Sequence, residues 1–150
     1  LYVLEDIADL SLYGVGSANN GGGSDGQEFT FPAGSAAAGT FLYVTDDDVD
    51  FATFFGFAPD FVSGAMAING DDAMELFQSG AVIDTFGDIA LDGTGEPWDY
   101  LDGWAKRASA TGPDGAQFDL TAWSFSGIDM LEGDTNDTAI SPFPLGGYLP

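Results

Sequence analysis

Ala65-Met66-Ala67-Ile68-Asn69-Gly70-Asp71-Asp72-Ala73-Met74-Glu75-Leu76-Phe77-Gln78-Ser79-Gly80-Ala81-Val82-Ile83-Asp84-Thr85-Phe86 is the stretch that decides the fold. Three short apolar runs, Ala65 to Ile68, Ala73 to Phe77 and Ala81 to Phe86, are separated by turn signals. Asn69-Gly70 is a tight-turn dipeptide, and Gln78-Ser79-Gly80 offers a three-residue hairpin loop with glycine at its left-handed position. Residues 65–86 therefore predict a β-meander.

The same punctuation extends in both directions. Glycine, at 22 of 150 residues, breaks the chain into short apolar segments, which predicts an all-β fold. Further strands are expected at Leu1 to Leu4, Leu10 to Val15, Gln27 to Phe31, Thr40 to Thr45, Gly103 to Arg107 and Thr121 to Phe125. That number of strands suits a sandwich. One exception interrupts it: Phe51, Phe54, Phe55 and Ala58 fall at i, i+3, i+4 and i+7, which predicts one short helix, capped by Asp50 and closed by Pro59. Ser17 to Gly26 reads as a flexible loop. Beyond Gly127 the periodicity fades, and Pro142, Pro144 and Pro150 oppose a central strand, so an extended C-terminal tail is expected.

A chain of 150 residues fits one domain, 1–150, with a single core. Thirteen Phe supply enough apolar surface to offset the entropy of ordering the chain. Two basic residues against 25 acidic ones leave a net charge of −23, a field that repels a phosphate backbone, so direct nucleic-acid binding is excluded. The chain has neither His nor Cys, which removes the usual general base, the Ser-His and Cys-His pairs, disulfides and thiolate-bound zinc. So acidic a surface stays soluble where salt screens its self-repulsion, which points to a saline extracellular or cell-surface setting. No apolar run reaches the length of a membrane span. Because the chain opens on Leu1 without a basic segment, it reads as a processed chain or an internal fragment.

A family pattern is carried by Ile68-Asn69-Gly70-Asp71-Asp72-Ala73-Met74-Glu75-Leu76-Phe77 followed by Gly80-Ala81-Val82-Ile83-Asp84-Thr85-Phe86-Gly87. This pattern resembles the lamin-tail domain in its bacterial extracellular form, often attached to secreted nucleases. Asp9-Leu10-Ser11-Leu12-Tyr13-Gly14, Ala38-Gly39-Thr40-Phe41-Leu42-Tyr43-Val44, Trp104-Ala105-Lys106-Arg107 and Trp123-Ser124-Phe125 extend the resemblance over nearly the whole chain. It implies an immunoglobulin-like β-sandwich with one short helix. It also implies an accessory, adhesive or assembly role, any nuclease chemistry lying in other domains. The family usually opens with a strand ahead of the segment matched by Leu1-Tyr2-Val3-Leu4, and this chain begins without it. A strand from the chain's own N-terminal side or from a neighbouring subunit is expected to complete that edge, the second case giving self-assembly into filaments.

Candidate sites each have a structural alternative. Asp46, Asp48 and Asp50 alternate in the oxygen-rich manner that Ca²⁺ favours, but an EF-hand loop starting at Asp46 would need Gly and Glu where Phe51 and Phe57 stand. The alternative is a solvated run at the start of the helix. Trp98, Tyr100 and Trp104, beside carboxylates, could form a sugar-binding platform or cover the end of the core. Asn136-Asp137-Thr138 is a glycosylation sequon centred on Asn136. Asp71 and Asp72 are expected to accept hydrogen bonds from turn amides, and Lys106 and Arg107, the only cations, to pair with carboxylates. Acids are abundant enough for a two-carboxylate glycosidase, yet nothing singles out a pair. The sequence thus points to a non-enzymatic extracellular structural or adhesive module with protein partners. The alternatives are an accessory domain of a secreted hydrolase and a calcium-dependent carbohydrate-binding module.

Overall fold

The Gln78-Ser79-Gly80 signal closes a hairpin in the computed structural model, which describes residues 1–150. Strands β5 (Ala73–Gln78) and β6 (Ala81–Phe86) pair antiparallel, with Gln78 opposite Ala81. The loop is two residues, one fewer than expected. Ser79 and Gly80 both take left-handed φ, 51° and 81°, as a type I′ turn requires, and this twist matches the strands it joins. The register slips once: Leu76 faces Asp84 and Phe77 faces Val82, leaving Ile83 as an extra, bulged residue. A bulge re-aims side chains, and Ile83 and Asp84 line the same cleft instead of opposite faces.

Strand β1 (Tyr13–Ala18) pairs antiparallel with β5 along its whole length, and β2 (Phe29–Thr30) adds at its far side, giving a four-stranded sheet in the order β2-β1-β5-β6. Alternation puts Gly14, Gly16, Ala18 and Ala73 on one face. These small residues let the loop after β1 press flat against the sheet: a Cβ at Gly16 would lie 2.0 Å from the Gly26 carbonyl oxygen. The other face carries Val15, Met74 and Leu76 into a core with Val3, Leu10, Phe31, Ala36 and Leu42, and Phe31 at its centre is 2% exposed.

The single helix, α1 (Asp48–Phe55), lies between β3 (Val44–Thr45) and β4 (Phe61–Val62), which pair in parallel. Its cap is Asp47, not Asp50: the Asp47 carboxylate accepts from the Val49 and Asp50 amides at 2.9 and 3.0 Å, and Asp50 falls in the first turn. Gly56, left-handed at φ 79°, ends the helix before Pro59 is reached. Strands β7 (Ala105–Arg107) and β8 (Trp123–Phe125) form a separate antiparallel pair.

Several expected strands are shorter or absent. Ala65 to Ile68 is not a strand: Ser63 caps a 3₁₀ turn at Gly64–Met66, and Met66 packs sideways on the core. Asn69-Gly70 accordingly closes no hairpin, and the meander reduces to β5 and β6. Leu1 to Leu4 and Thr40 to Thr45 shrink to the bridge Tyr2–Phe41 and the two residues of β3. The tail beyond Gly127 has no strand, and no helix is long and apolar enough to cross a membrane. The fold is small and β-rich, with two antiparallel sheets, one short parallel pair and one α-helix.

Phe86 joins the large sheet to β7 and β8. Its ring meets Trp98, Tyr100, Phe118 and Trp123 edge to face, with centroids 4.7 to 5.8 Å apart. Such pairs contribute beyond the area they bury.

Candidate functional site

Between the apolar face of the sheet, the N-terminal segment, β7 and the C-terminal tail lies a cleft of about 650 Å³. Leu76, Ile83, Leu42, Phe143 and Tyr148 are among its largely apolar walls, and both cations of the chain, Lys106 and Arg107, line it. Arg107, with its side chain 11% exposed, donates through Nη2 to Asp84 and through Nη1 to Asp114 at 2.8 Å. Its guanidinium lies 4.5 Å from the centre of the Trp123 ring, and Gly112 sits so close on it that a Cβ there would come within 2.5 Å. Burial pushes the Asp84 carboxyl above its ordinary value, outweighing the lowering by the Asp114 amide and by Arg107.

Lys106 departs from expectation. It forms no ion pair, and its ammonium donates to the Gly147 carbonyl at 2.8 Å. The adjacent cation therefore takes two carboxylates while Lys106 takes none.

Three carboxylates are buried elsewhere, each tied to the loops around it. Asp71 accepts from the Thr94 hydroxyl at 2.8 Å, Asp72 from the Asn20 amide at 2.9 Å and the Asn69 amide at 3.4 Å, and Glu75, 3% exposed, from the Ser24 hydroxyl. Asp72 thus holds backbone amides as expected, pinning the loop after β1 and the Asn69 turn instead of a hairpin. Burial, reinforced by the negative charge of Asp72 and Asp71, pushes the Tyr100 hydroxyl up to about 12.

Asp46, Asp48 and Asp50 are all exposed around the helix start, and no group of three or more carboxylates is placed to hold a metal ion. The run serves the helix, with acids where the dipole is positive. Any stabilisation by CaCl₂ is therefore expected to be reproduced by NaCl at equal ionic strength, as measured by thermal melting. A Ca²⁺-specific gain lost on Asp48→Asn would contradict this.

Trp98 is buried, packed on Phe86 and Phe118, and Tyr100 meets the same Phe86 ring edge to face. Trp104 lies apart from them in its contacts, against Phe143, its indole donating to the Ser141 carbonyl at 3.0 Å. The three rings do not share one exposed platform: Trp98 and Tyr100 pack on Phe86, and half-buried Trp104 packs on Phe143. Asn136 corrects the sequon reading. It is buried, its amide nitrogen donates to the Phe143 carbonyl at 3.2 Å and its oxygen accepts from the Phe143 amide at 2.7 Å. The nitrogen a glycan would need is committed to holding the tail. Asn136→Ala should lower stability by about 1–3 kcal/mol, the cost of leaving both Phe143 groups unpaired, with urea denaturation as the check.

The expected pairing of Arg107 with carboxylates is found, but the sequence named neither Asp84 nor Asp114 as its partner, nor the cleft whose wall the Arg107–Asp84 pair forms. The signal was present in Asp84, an acid in the middle of an apolar strand, and in the chain's only two cations standing side by side. No family model, no curated protein and no solved structure matches the chain.

Proposed function

We propose that the chain is a non-enzymatic, immunoglobulin-like β-sandwich module of lamin-tail type. In this reading it works outside the cell or on its surface, through contacts with protein partners, as a structural or adhesive unit. The observation that carries the proposal is the use made of the buried acids: Asp71, Asp72 and Glu75 each accept a hydrogen bond from a loop, and Asp84 is held by Arg107. A general acid and base must face an open pocket, poised for the substrate's protons. Asp71, Asp72 and Glu75 are engaged in fastening loops to the sheet, and Asp84, which lines the cleft, is paired with Arg107 and accepts from the Asp114 amide. With no His or Cys, the chain holds no other common proton shuttle or nucleophile pair. The −23 charge disfavours polyanionic substrates and suits a module that must stay soluble at a salty surface.

The test is turnover by purified 1–150 on duplex DNA, a chromogenic phosphoester and chromogenic glycosides, with and without Mg²⁺ and Ca²⁺. No turnover is expected above buffer. Hydrolysis of any of them, abolished by replacing one carboxylate with its amide, would overturn the proposal.

A further inference from the structure

The geometry points to the cleft as a binding site for a small amphipathic monoanion, an apolar body ending in a carboxylate that meets Lys106. A volume of about 650 Å³ falls within the usual range of small-ligand pockets, and the walls are those of such a pocket, mostly aliphatic and aromatic with a few polar groups. What sets this place apart is its surplus of donors. Lys106 carries three N–H groups, of which the structure uses one, on Gly147. Of the three buried side-chain polar atoms without a partner in the whole protein, two are donors on residues lining this cleft, Arg107 Nε and Trp123 Nε1. In a chain with 25 carboxylates and two cations, this is the one wall that gathers both cations, and Lys106 is the one of them without an ion pair.

The carboxylates that line the same cleft do not cancel it. Asp84 is occupied by Arg107, Asp6 accepts from the Ala38 amide at 2.9 Å, and Glu5 is exposed. Lys106 is within reach of screening by none of them as an ion pair. The field of the whole molecule then narrows the ligand. A dianionic phosphate or a polyanion would be repelled in proportion to its charge, whereas a single carboxylate loses little at physiological salt, where the field decays over about 8 Å. The apolar body supplies the rest of the affinity by burial against Leu76, Ile83 and Phe143.

The experiment is calorimetric titration of the protein with decanoate below its micellar concentration, and with decan-1-ol, which has the same tail without the charge. Decanoate is expected to bind at one molecule per chain and about ten-fold or more tighter than the alcohol, the worth of one charge-assisted hydrogen bond. Lys106→Gln is expected to remove that preference. Ile83→Trp, which enlarges a side chain lining the cleft, should abolish binding of both compounds. Absence of saturable decanoate binding to the unaltered protein, equal affinity for acid and alcohol, or several decanoates per chain would overturn the proposal without recourse to any variant. An undiminished preference in folded Lys106→Gln would do the same.

Discussion

Phe86→Ala is expected to cost about 3–5 kcal/mol of folding stability. The residue ends β6, is 7% exposed, and five aromatic rings surround it, Phe125 completing the set at 6.3 Å. Removing the ring deletes apolar contact and leaves a void that its neighbours cannot fill. Trp98 is fixed by Gly87 and Gly93, where an added Cβ would come within 3.0 and 2.5 Å of its ring. A domain's whole stability is about 5–15 kcal/mol, so the loss takes a large share and should lower Tm by about 10 °C or more. Phe54→Ala on α1, where no residue is fully buried, should cost much less. Equal losses at the two positions would mean that Phe86 does not join the layers.

Arg107→Met is the second large effect, about 3–5 kcal/mol at neutral pH, because it leaves Asp84 charged and partly buried without its partner. The pH dependence has a definite sign. In the folded protein burial holds the Asp84 carboxyl above its unfolded value, so its contribution is fully favourable below the ordinary carboxylate range and is lost as pH rises through the raised value. Taking away Arg107 removes one of the influences that lower it, so the loss on ionisation becomes larger. The deficit of the variant relative to the unaltered protein should therefore be greatest at neutral pH and shrink on acidification. Adding Asp84→Asn to Arg107→Met should recover much of the loss, a coupling measurable by a double-mutant cycle. A deficit independent of pH and unaffected by Asp84→Asn would show that Arg107 acts through packing on Trp123 alone.

Which features were legible in the sequence follows from how locally each is encoded. The β5–β6 hairpin was, because Ser79-Gly80 and the flanking apolar runs specify it within fourteen residues of chain, Ala73 to Phe86. Helix α1 was, from its spacing, although its cap and its stop were shifted to Asp47 and Gly56 by backbone needs that side-chain periodicity does not report. The Ala65 to Ile68 run was misread because four apolar residues suit a strand and a 3₁₀ turn alike, and the choice fell to Ser63 and the core beneath Met66. The parallel pairing of β3 with β4 depends on residues 17 apart in sequence and left no local mark. At the candidate site, the sequence allows a core role for Trp98 and Tyr100, and both pack on Phe86. The cleft was not legible, since it is assembled from segments spread from Leu1 to Tyr148. The bulge at Ile83 that turns Asp84 towards Arg107 is a register event, invisible to a pattern of period two. Asn136 carried a motif for modification and serves as a tether because the tail folds back on it, again a long-range outcome.

The proposed sandwich requires the four-stranded sheet and the β7–β8 pair to act as one unit, and native-state hydrogen exchange tests that most directly. If the layers are joined through Phe86 and the Arg107–Asp84 pair, the amides of β1, β5 and β6 and those of β7 and β8 should exchange through a single global opening, with the same free energy and the same response to denaturant. Exchange of residues 105–125 through a separate, much cheaper opening, with β1, β5 and β6 still protected, would contradict it.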